Sequence, residues 1–234
     1  MTKNRTPTSS EIPSGRKILV LTLGSWEQHG PHLPLDTDSV IVSRVVHDSL
    51  NNSDVAHENF LCAPLLPITA SDEHAGFPGG LSTGTDALTS AVVSICRSAR
   101  SWAAGILIAN GHGGNYDALQ NITSALEYEK ITHSVWTLPS YEGGDMHAGH
   151  TETSLMLHIA PHSVRTELVS SIEVSTANID ELRTLGVKGV APSGVLGDPA
   201  TASAQHGEEI LKFYIRSLVQ RMKACASEWL PSPE

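Results

Sequence analysis

Residues 17–24, KILVLTLG, are the stretch that decides the fold. Residues 18–23 are almost entirely aliphatic and stop at Gly24, a pattern typical of a strand that is buried on both faces. Residues 105–109, GILIA, repeat the pattern, and each run leads directly into a loop rich in glycine and polar residues. Because such strands alternate with helical segments along the chain, we expect an α/β protein with a mainly parallel sheet and helices on both faces.

The remaining chain supplies the other elements of this sheet. Apolar residues at helical spacing predict helices over residues 37–50, 86–102, 116–130, 151–159 and 201–226, with a short helix near 179–185. Two further strands are predicted over residues 59–68 and 133–138. Pro64 and Pro67 restrict the first of these strands, since proline cannot donate a hydrogen bond to a sheet.

Composition limits the partners and the location of the protein. Its 234 residues, 40% of them hydrophobic, suffice for one sizeable core, so residues 16–234 are predicted to form a single domain after a flexible tail over residues 1–15. A net charge of −10 argues against a nucleic acid or an anionic membrane as partner, because both require clustered Lys and Arg. Three widely spaced cysteines indicate reduced thiols, and we find no signal peptide or membrane span, so we expect a cytoplasmic protein.

Histidines and acids collect in three places along the chain. These places hold Glu27, His29 and Asp38, then His112, and finally His147, His150 and Glu152. The first two begin at the carboxyl ends of predicted strands, where ligands bind in open parallel sheets. Carboxylates and imidazoles together suit Zn²⁺, Fe²⁺ or Mn²⁺, so the three loops predict a site for two divalent metal ions.

Structural roles remain open for several of these side chains. His112 alone could belong to a glycine-rich turn, and Glu27 and His29 could be a capping acid and a solvated imidazole. His32 is interpreted as a residue that supports the loop around the ligands. His74, within the glycine-rich loop SDEHAGF, lies either at the mouth of the pocket or on the solvated surface.

Three motifs, taken together and in order, resemble the creatininase family of metal-dependent amidohydrolases. They are GSWEQHGPHLPLDTD (24–38), NGHGGN (110–115) and HAGHTETSLML (147–157), and the resemblance extends over about residues 17–212. It implies a compact three-layer α/β/α sandwich and a homo-oligomer, commonly a hexamer. It also implies two divalent metal ions that activate a water for attack on an amide.

The resemblance also assigns roles by position in the motifs. Glu27, His29 and Asp38 fall on metal ligands, with Asp38 at the bridging position. His112 falls on the ligand of the NGH motif, and His147 falls on the catalytic histidine beside the reacting amide.

One position departs from the pattern of creatinine amidohydrolase. There the NGH motif continues with an aromatic residue and a ligand glutamate, whereas this chain has Gly114 at the glutamate position. Relatives with the glycine version carry an acid at the fourth position of the HAG motif, where this chain has His150. We therefore expect His150 to complete the second metal site and Glu152 to support it from behind, although Glu152 remains the alternative ligand.

The HAGHTETS motif, together with SGVLGDPATAS (193–203), looks most like the peptidases of this family that belong to the mycofactocin system. That resemblance implies that a hydroxide bridging the two metals removes a C-terminal Val-Tyr-derived unit from a modified precursor peptide, while His147 moves a proton to the leaving nitrogen. One alternative is an amidohydrolase for a small molecule such as creatinine or a formamide. A binding subunit that keeps the fold without catalysis is another.

Overall fold

The computed structural model describes residues 7–230, without the side chains of residues 171 and 179. Within these residues, one parallel sheet contains β1 (Ile18–Leu23), β2 (Phe60–Cys62), β3 (Gly105–Asn110) and β4 (His133–Thr137). The order across the sheet is β2-β1-β3-β4, and every neighbouring pair is parallel. The predicted parallel sheet is therefore confirmed.

Helices cover both faces of this sheet. They are α1 (Thr37–Leu50), α2 (Gly84–Ala99), α3 (Tyr116–Tyr128), α4 (His150–Ile159), α5 (Ile179–Val190) and α6 (Ala204–Trp229). Side chains alternate along β1, so Ile18 and Val20 pack with α1, α4 and α6, whereas Leu19 and Leu21 pack with α2 and α3. The predicted three-layer α/β/α sandwich is confirmed.

The segment predicted as a strand over residues 59–68 is mostly irregular. Only Phe60–Cys62 pairs as β2, because Pro64 and Pro67 have no N–H to donate to the neighbouring strand. Leu66 still donates its backbone N–H to Thr22 O at 3.0 Å. The chain therefore continues beside β1 and reaches the carboxyl edge of the sheet.

Two helix boundaries differ from the predicted ones for local reasons. The helix predicted from residue 201 begins at Ala204, because the Ser203 side chain caps it by accepting from His206 N. The short helix predicted near 179–185 extends to Val190, with a kink at Gly186, where φ is 66°. Glycine is suited to that position, since side chains disfavour a positive φ.

Part of the predicted tail has defined contacts. Ser9–Glu11 form one turn of 3-10 helix, and Gly15 donates its N–H to Trp102 O at 2.7 Å. Residues 1–6 of that prediction lie outside the described residues. Among the helices that the structure describes, none combines the length and the apolar character that crossing a membrane would require.

Candidate metal centre

The loops that follow the strands meet at the carboxyl edge of the sheet. Glu27 and His29 lie after β1, Asp38 lies in the first turn of α1, and His112 lies after β3. Since the connections from β1 and β3 leave toward opposite sides of the sheet, this edge is the type of crevice in which parallel sheets bind ligands. Gly111 allows the approach of the β3 loop, because a Cβ there would collide with α1.

Asp38 is 2% exposed and lies between two histidines. Its Oδ1 lies 3.4 Å from Nε2 of His29, and its Oδ2 lies 2.9 Å from Nδ1 of His112. Ser25 Oγ donates a hydrogen bond to Oδ2 at 2.8 Å and fixes the carboxylate. One carboxylate thus faces two imidazoles, which is the geometry expected of a ligand shared by two ions.

Two sets of side chains around Asp38 could each hold a metal ion. One consists of Glu27, Asp38 and His112, and the other of His29, Asp38 and Glu152. Within each set the ligand atoms lie within 4.8 Å of one another. Carboxylate and imidazole donors in this mixture suit Zn²⁺, Fe²⁺ or Mn²⁺.

Several buried atoms of the cluster lack the partners that a folded protein normally provides. Both carboxylate oxygens of Glu27 and Nε2 of His29 have no hydrogen-bond partner. Oε2 of Glu27 lies 3.0 Å from Nε2 of His112 without forming a hydrogen bond. Because an unpaired buried polar group is costly, these atoms fit a site whose remaining partners are metal ions.

His112 leads to the same conclusion through its two ring nitrogens. Its Nε2 lies 3.0 Å from Ala70 O, a pure acceptor, so this nitrogen carries a hydrogen. In the neutral ring, Nδ1 then has a lone pair that faces the carboxylate of Asp38 at 2.9 Å. The lone pairs of Nδ1 and of the carboxylate repel each other at this distance unless a cation or a second proton lies between them. The arrangement of His112 and Asp38 therefore fits a metal ion bound by both.

Three side chains of the cluster have raised pKa values, so they hold protons more tightly than usual when no ion is bound. Burial raises the pKa of Glu27 to about 8 and that of Glu152 to about 7. Burial alone would lower the pKa of His29, but the Asp38 carboxylate outweighs it and raises the pKa to about 10. These groups bind metals in their deprotonated forms, so metal binding must release protons.

His147 and His74 lie near Oε1 of Glu27, whereas His112 lies near Oε2. Nδ1 of His147 is 3.9 Å from Glu27 Oε1, and its ring centroid is 4.4 Å from that of His29. Nε2 of His74 lies 3.3 Å from Glu27 Oε1, and His74 is 6% exposed. Burial lowers the pKa of His74 to about 3 and holds the pKa of His147 well below its ordinary value. The alternative of a solvated surface His74 is therefore wrong.

The structure does not bring His150, which was expected to complete the second metal site, into this cluster. Nδ1 of His150 lies 2.8 Å from Thr201 Oγ1, and its Nε2 contacts Nδ1 of His206. His150 begins α4, and residue 152 lies about 200° further round that helix, so the two side chains point in different directions. Glu152 faces His29, with Oε2 at 3.8 Å from Nε2, and belongs to a metal-holding set in place of His150.

The remaining predicted ligands lie within the cluster, and His32 lies behind it. Glu27, His29, Asp38 and His112 are brought together as expected, and all four are buried. A capping acid and a solvated imidazole are therefore excluded for Glu27 and His29. His32 lies behind the cluster, with Nε2 at 2.8 Å from Thr153 Oγ1, as a supporting residue would.

Glu73 is a member of the cluster that the sequence motifs did not indicate. Its Oε1 lies 3.2 Å from Nε2 of His112, and its carboxylate lies close to Glu27 and His74, with one polar atom of each within 4.8 Å of the others. Its carboxylate occupies the space beside Gly114, since a Cβ on Gly114 would overlap with Glu73 Oε1. The available signal was an acid next to His74 in a glycine-rich loop, at a distance of 39 residues from His112 that no motif spans.

A cavity of about 780 Å³ opens above the cluster. Asp38, His112, His147 and Glu152 line its inner part. Its outer part is lined by side chains from α3, α5 and the loop before α4, among them Tyr116, Met146, Leu182 and Arg183. The volume lies within the range of ligand-binding pockets, about 300–1,000 Å³.

Known proteins match the chain over most of its length. A family model described as creatininase, creatinine amidohydrolase, matches residues 4–222. A mycofactocin precursor peptide peptidase from Mycobacterium tuberculosis strain H37Rv is 42% identical over 234 residues, covering 97% of this chain and 91% of its own. The protein of the same name from Mycolicibacterium smegmatis is 41% identical over 229 residues, covering 97% and 91%.

A solved structure shares the fold. It is a mutant creatininase of the Zn-Zn type, which superposes with a TM-score of 0.69 at 22% identity and covers 93% of this chain and 92% of its own. The resemblance inferred from the three motifs is thus confirmed. Together with the buried acids and histidines, these matches show that the chain is a hydrolase of the creatininase family.

Proposed function

We propose that the protein is a metal-dependent peptidase that trims a modified precursor peptide and releases its C-terminal Val-Tyr-derived unit. The observation that carries this proposal is the pair of metal-holding sets that share Asp38 at the base of an open cavity. The names of the relatives from two mycobacterial species support a peptide as the substrate class.

We propose Glu27, His29, Asp38, His112 and Glu152 as the residues that hold two divalent ions, which could be zinc, iron or manganese. Ions bound there would lower the pKa of a water molecule and polarise the carbonyl group of the scissile amide. Burial of the ligands excludes bulk water from the reacting atoms, and Ser25 keeps the shared carboxylate of Asp38 in place.

His147 is the residue that moves the proton in this proposal. Its Nε2 donates to the backbone carbonyl of Gln28 at 2.9 Å, so its Nδ1 carries the lone pair on the side of Glu27. His147 also lines the cavity, within reach of a bound amide. Because its ring is neutral, it can take a proton at Nδ1 and give it to the leaving nitrogen.

The cavity wall favours a peptide over a small cyclic amide. Creatinine would be expected to need a closed aromatic box, whereas Tyr116 is the only Phe, Tyr or Trp among the described residues that line the cavity. Tyr116 and Met146 are 58% and 49% exposed, so they can cover an aromatic or aliphatic side chain at the entrance. A binding subunit without catalysis is disfavoured, because the full set of donors is present.

Two further parts of the proposal concern assembly and location. By resemblance to its family, we propose that the chain forms a homo-oligomer, a hexamer, with no nucleic acid or membrane partner. Cys62, Cys96 and Cys225 are free thiols, which supports the proposal of a reducing, cytoplasmic environment.

Mass spectrometry of reaction products tests the proposed substrate. The metal-loaded protein is incubated separately with the modified precursor peptide and with creatinine, and a His147→Gln variant that retains its metal serves as the control. We expect a C-terminal fragment from the peptide, no hydrolysis of creatinine, and no product with the variant. Hydrolysis of creatinine with an intact peptide would overturn the proposal.

A further inference from the structure

We propose that Gln28 is a positioning residue that fixes the tautomers of His74 and His147, and so decides which ring nitrogen of each histidine faces Glu27. Gln28 lies between two predicted metal ligands, and its side chain is buried between both histidines. The inference rests on the proposed function only for the catalytic role of His147.

The orientation of the Gln28 amide follows from two backbone groups. Oε1 accepts a hydrogen bond from Gly30 N at 2.9 Å, and Nε2 donates to Gly194 O at 3.0 Å. The reverse orientation would place a donor against an N–H and an acceptor against a carbonyl, so it is excluded. Gly194 leaves room for this contact, since a Cβ there would overlap with Oε1 and its φ is 81°.

Counting hydrogens then assigns both imidazoles. Nε2 of Gln28 has two hydrogens but three neighbours: Gly194 O, Nδ1 of His74 at 2.9 Å and Nε2 of His147 at 3.1 Å. Nε2 of His147 lies 2.9 Å from Gln28 O, which can only accept, so this nitrogen already carries a hydrogen. The two hydrogens of the amide therefore go to Gly194 O and to Nδ1 of His74.

The two histidines consequently differ in what they offer to Glu27. His147 has its hydrogen on Nε2 and a free lone pair on Nδ1, the atom 3.9 Å from Glu27 Oε1. His74 accepts at Nδ1 and has its hydrogen on Nε2, the atom 3.3 Å from the same oxygen. His74 is thus a donor beside Glu27 and has no lone pair there for an ion, whereas His147 has a lone pair free to receive a proton.

This assignment applies to neutral rings, which carry a single N–H. Nδ1 of His74 accepts from the Gln28 amide, so the His74 ring has its one hydrogen on Nε2. The side chain of Gln28 therefore orders the proton on His74, and its backbone carbonyl orders the proton on His147.

Nitrogen NMR of the zinc-loaded full chain tests the assignment without measuring activity. ¹⁵N-labelled histidines are assigned by the loss of signals in His74→Asn and His147→Asn variants. We expect both rings to carry hydrogen on Nε2 and none on Nδ1. A hydrogen on Nδ1 of either ring in the native protein would overturn the proposal, even if the protein is an active peptidase.

Two variants separate positioning from packing. Gln28→Glu keeps the shape but replaces the Nε2 donor with an acceptor, and Gln28→Met keeps the length without any donor. We expect both to retain two zinc ions, to move the His74 hydrogen to Nδ1, and to lower kcat by about 10–100-fold with KM changed less than about threefold. Unchanged ring tautomers or a native kcat in Gln28→Glu would contradict the inference.

The measurements also distinguish this inference from the proposed function. An inactive native protein with the expected tautomers would overturn the peptidase proposal and support the positioning role of Gln28. If either variant does not fold, the spectrum of the native protein decides alone.

Discussion

Asp38 holds the candidate centre together, because each of its oxygens faces a different histidine. Its position in the first turn of α1 fixes the carboxylate on a rigid element, and Ser25 supports it. Individual contacts also decide whether His150 or Glu152 lies beside His29. His150 is occupied by Thr201 and His206, so the carboxylate of Glu152 takes the place next to His29.

Substitution of Glu152 and of His150 tests that choice. Glu152→Gln should lose about one metal ion per chain, and kcat/KM should fall at least about 100-fold, because a weak neutral donor replaces a carboxylate. His150→Gln should keep both ions and change kcat/KM less than about threefold, since the side chain lies outside the cluster. Metal analysis and kinetics on the two purified variants provide the comparison, and the reverse pattern would restore His150 as a ligand.

Metal affinity should depend on pH, with a sign given by the raised pKa values. Below about 8 Glu27 carries a proton in the metal-free protein, and below about 10 His29 is a cation. Binding must expel these protons, so affinity falls as pH falls, by up to about tenfold per pH unit for each proton released. Chelator competition for zinc at about pH 6 and about pH 8 measures the change. An affinity independent of pH would contradict the assignment of these two groups as ligands.

At the scale of elements, the loop after β3 shows how the surroundings of His112 are built. Asn110 donates to His112 O at 2.7 Å and Asn115 donates to Asn110 Oδ1 at 2.8 Å, so the NGHGGN turn is rigid. The loop before α2 brings Glu73 into the space that Gly114 leaves. A carboxylate from one loop thus contacts the imidazole of another, on the nitrogen that points away from Asp38.

Two glycines in this turn form a matched pair for a test. Gly114→Ala should displace Glu73 and collide with Nε2 of His112, and so weaken metal binding about tenfold or more. Gly113→Ala should have little effect, because a Cβ there would meet nothing within 4 Å. Metal titrations of both variants, with circular dichroism to verify folding, give the result. Equal affinities in the two variants would contradict the need for this close packing of Glu73 and His112 against Gly114.

The sequence predicted the elements better than it predicted their contacts. The helix over residues 37–50 and the buried runs of β1 and β3 are visible in the chain, because local apolar patterns determine them. Glu73 and His74 were harder, since their place in the cluster depends on how a loop after β2 folds over β1. The direction of the His150 side chain was missed because a motif gives the order of residues but not the point at which α4 begins.

For the whole molecule, the centre lowers stability, because it buries acids and imidazoles between the loops at one edge of the sheet. Such groups destabilise the fold when their polar atoms lack partners. Bound ions should offset this, because a ligand that binds only the folded state stabilises it.

Removal of metal should therefore lower the melting temperature. For each ion present at about 1,000 times its Kd the stabilisation is about 4 kcal/mol, which for a chain of this length corresponds to a Tm shift on the order of 10 °C. Differential scanning calorimetry before and after chelation measures the shift, and addition of zinc should reverse it. An unchanged Tm would mean that the cluster binds no ion tightly.

Anomalous diffraction from crystals of the zinc-loaded protein tests whether two ions share Asp38. Peaks at the zinc absorption edge locate the ions without reference to activity. We predict two peaks, one among His29, Asp38 and Glu152 and one among Glu27, Asp38 and His112. A single peak in the cluster, or a peak between His150 and His206 in place of one of the two, would contradict the claim.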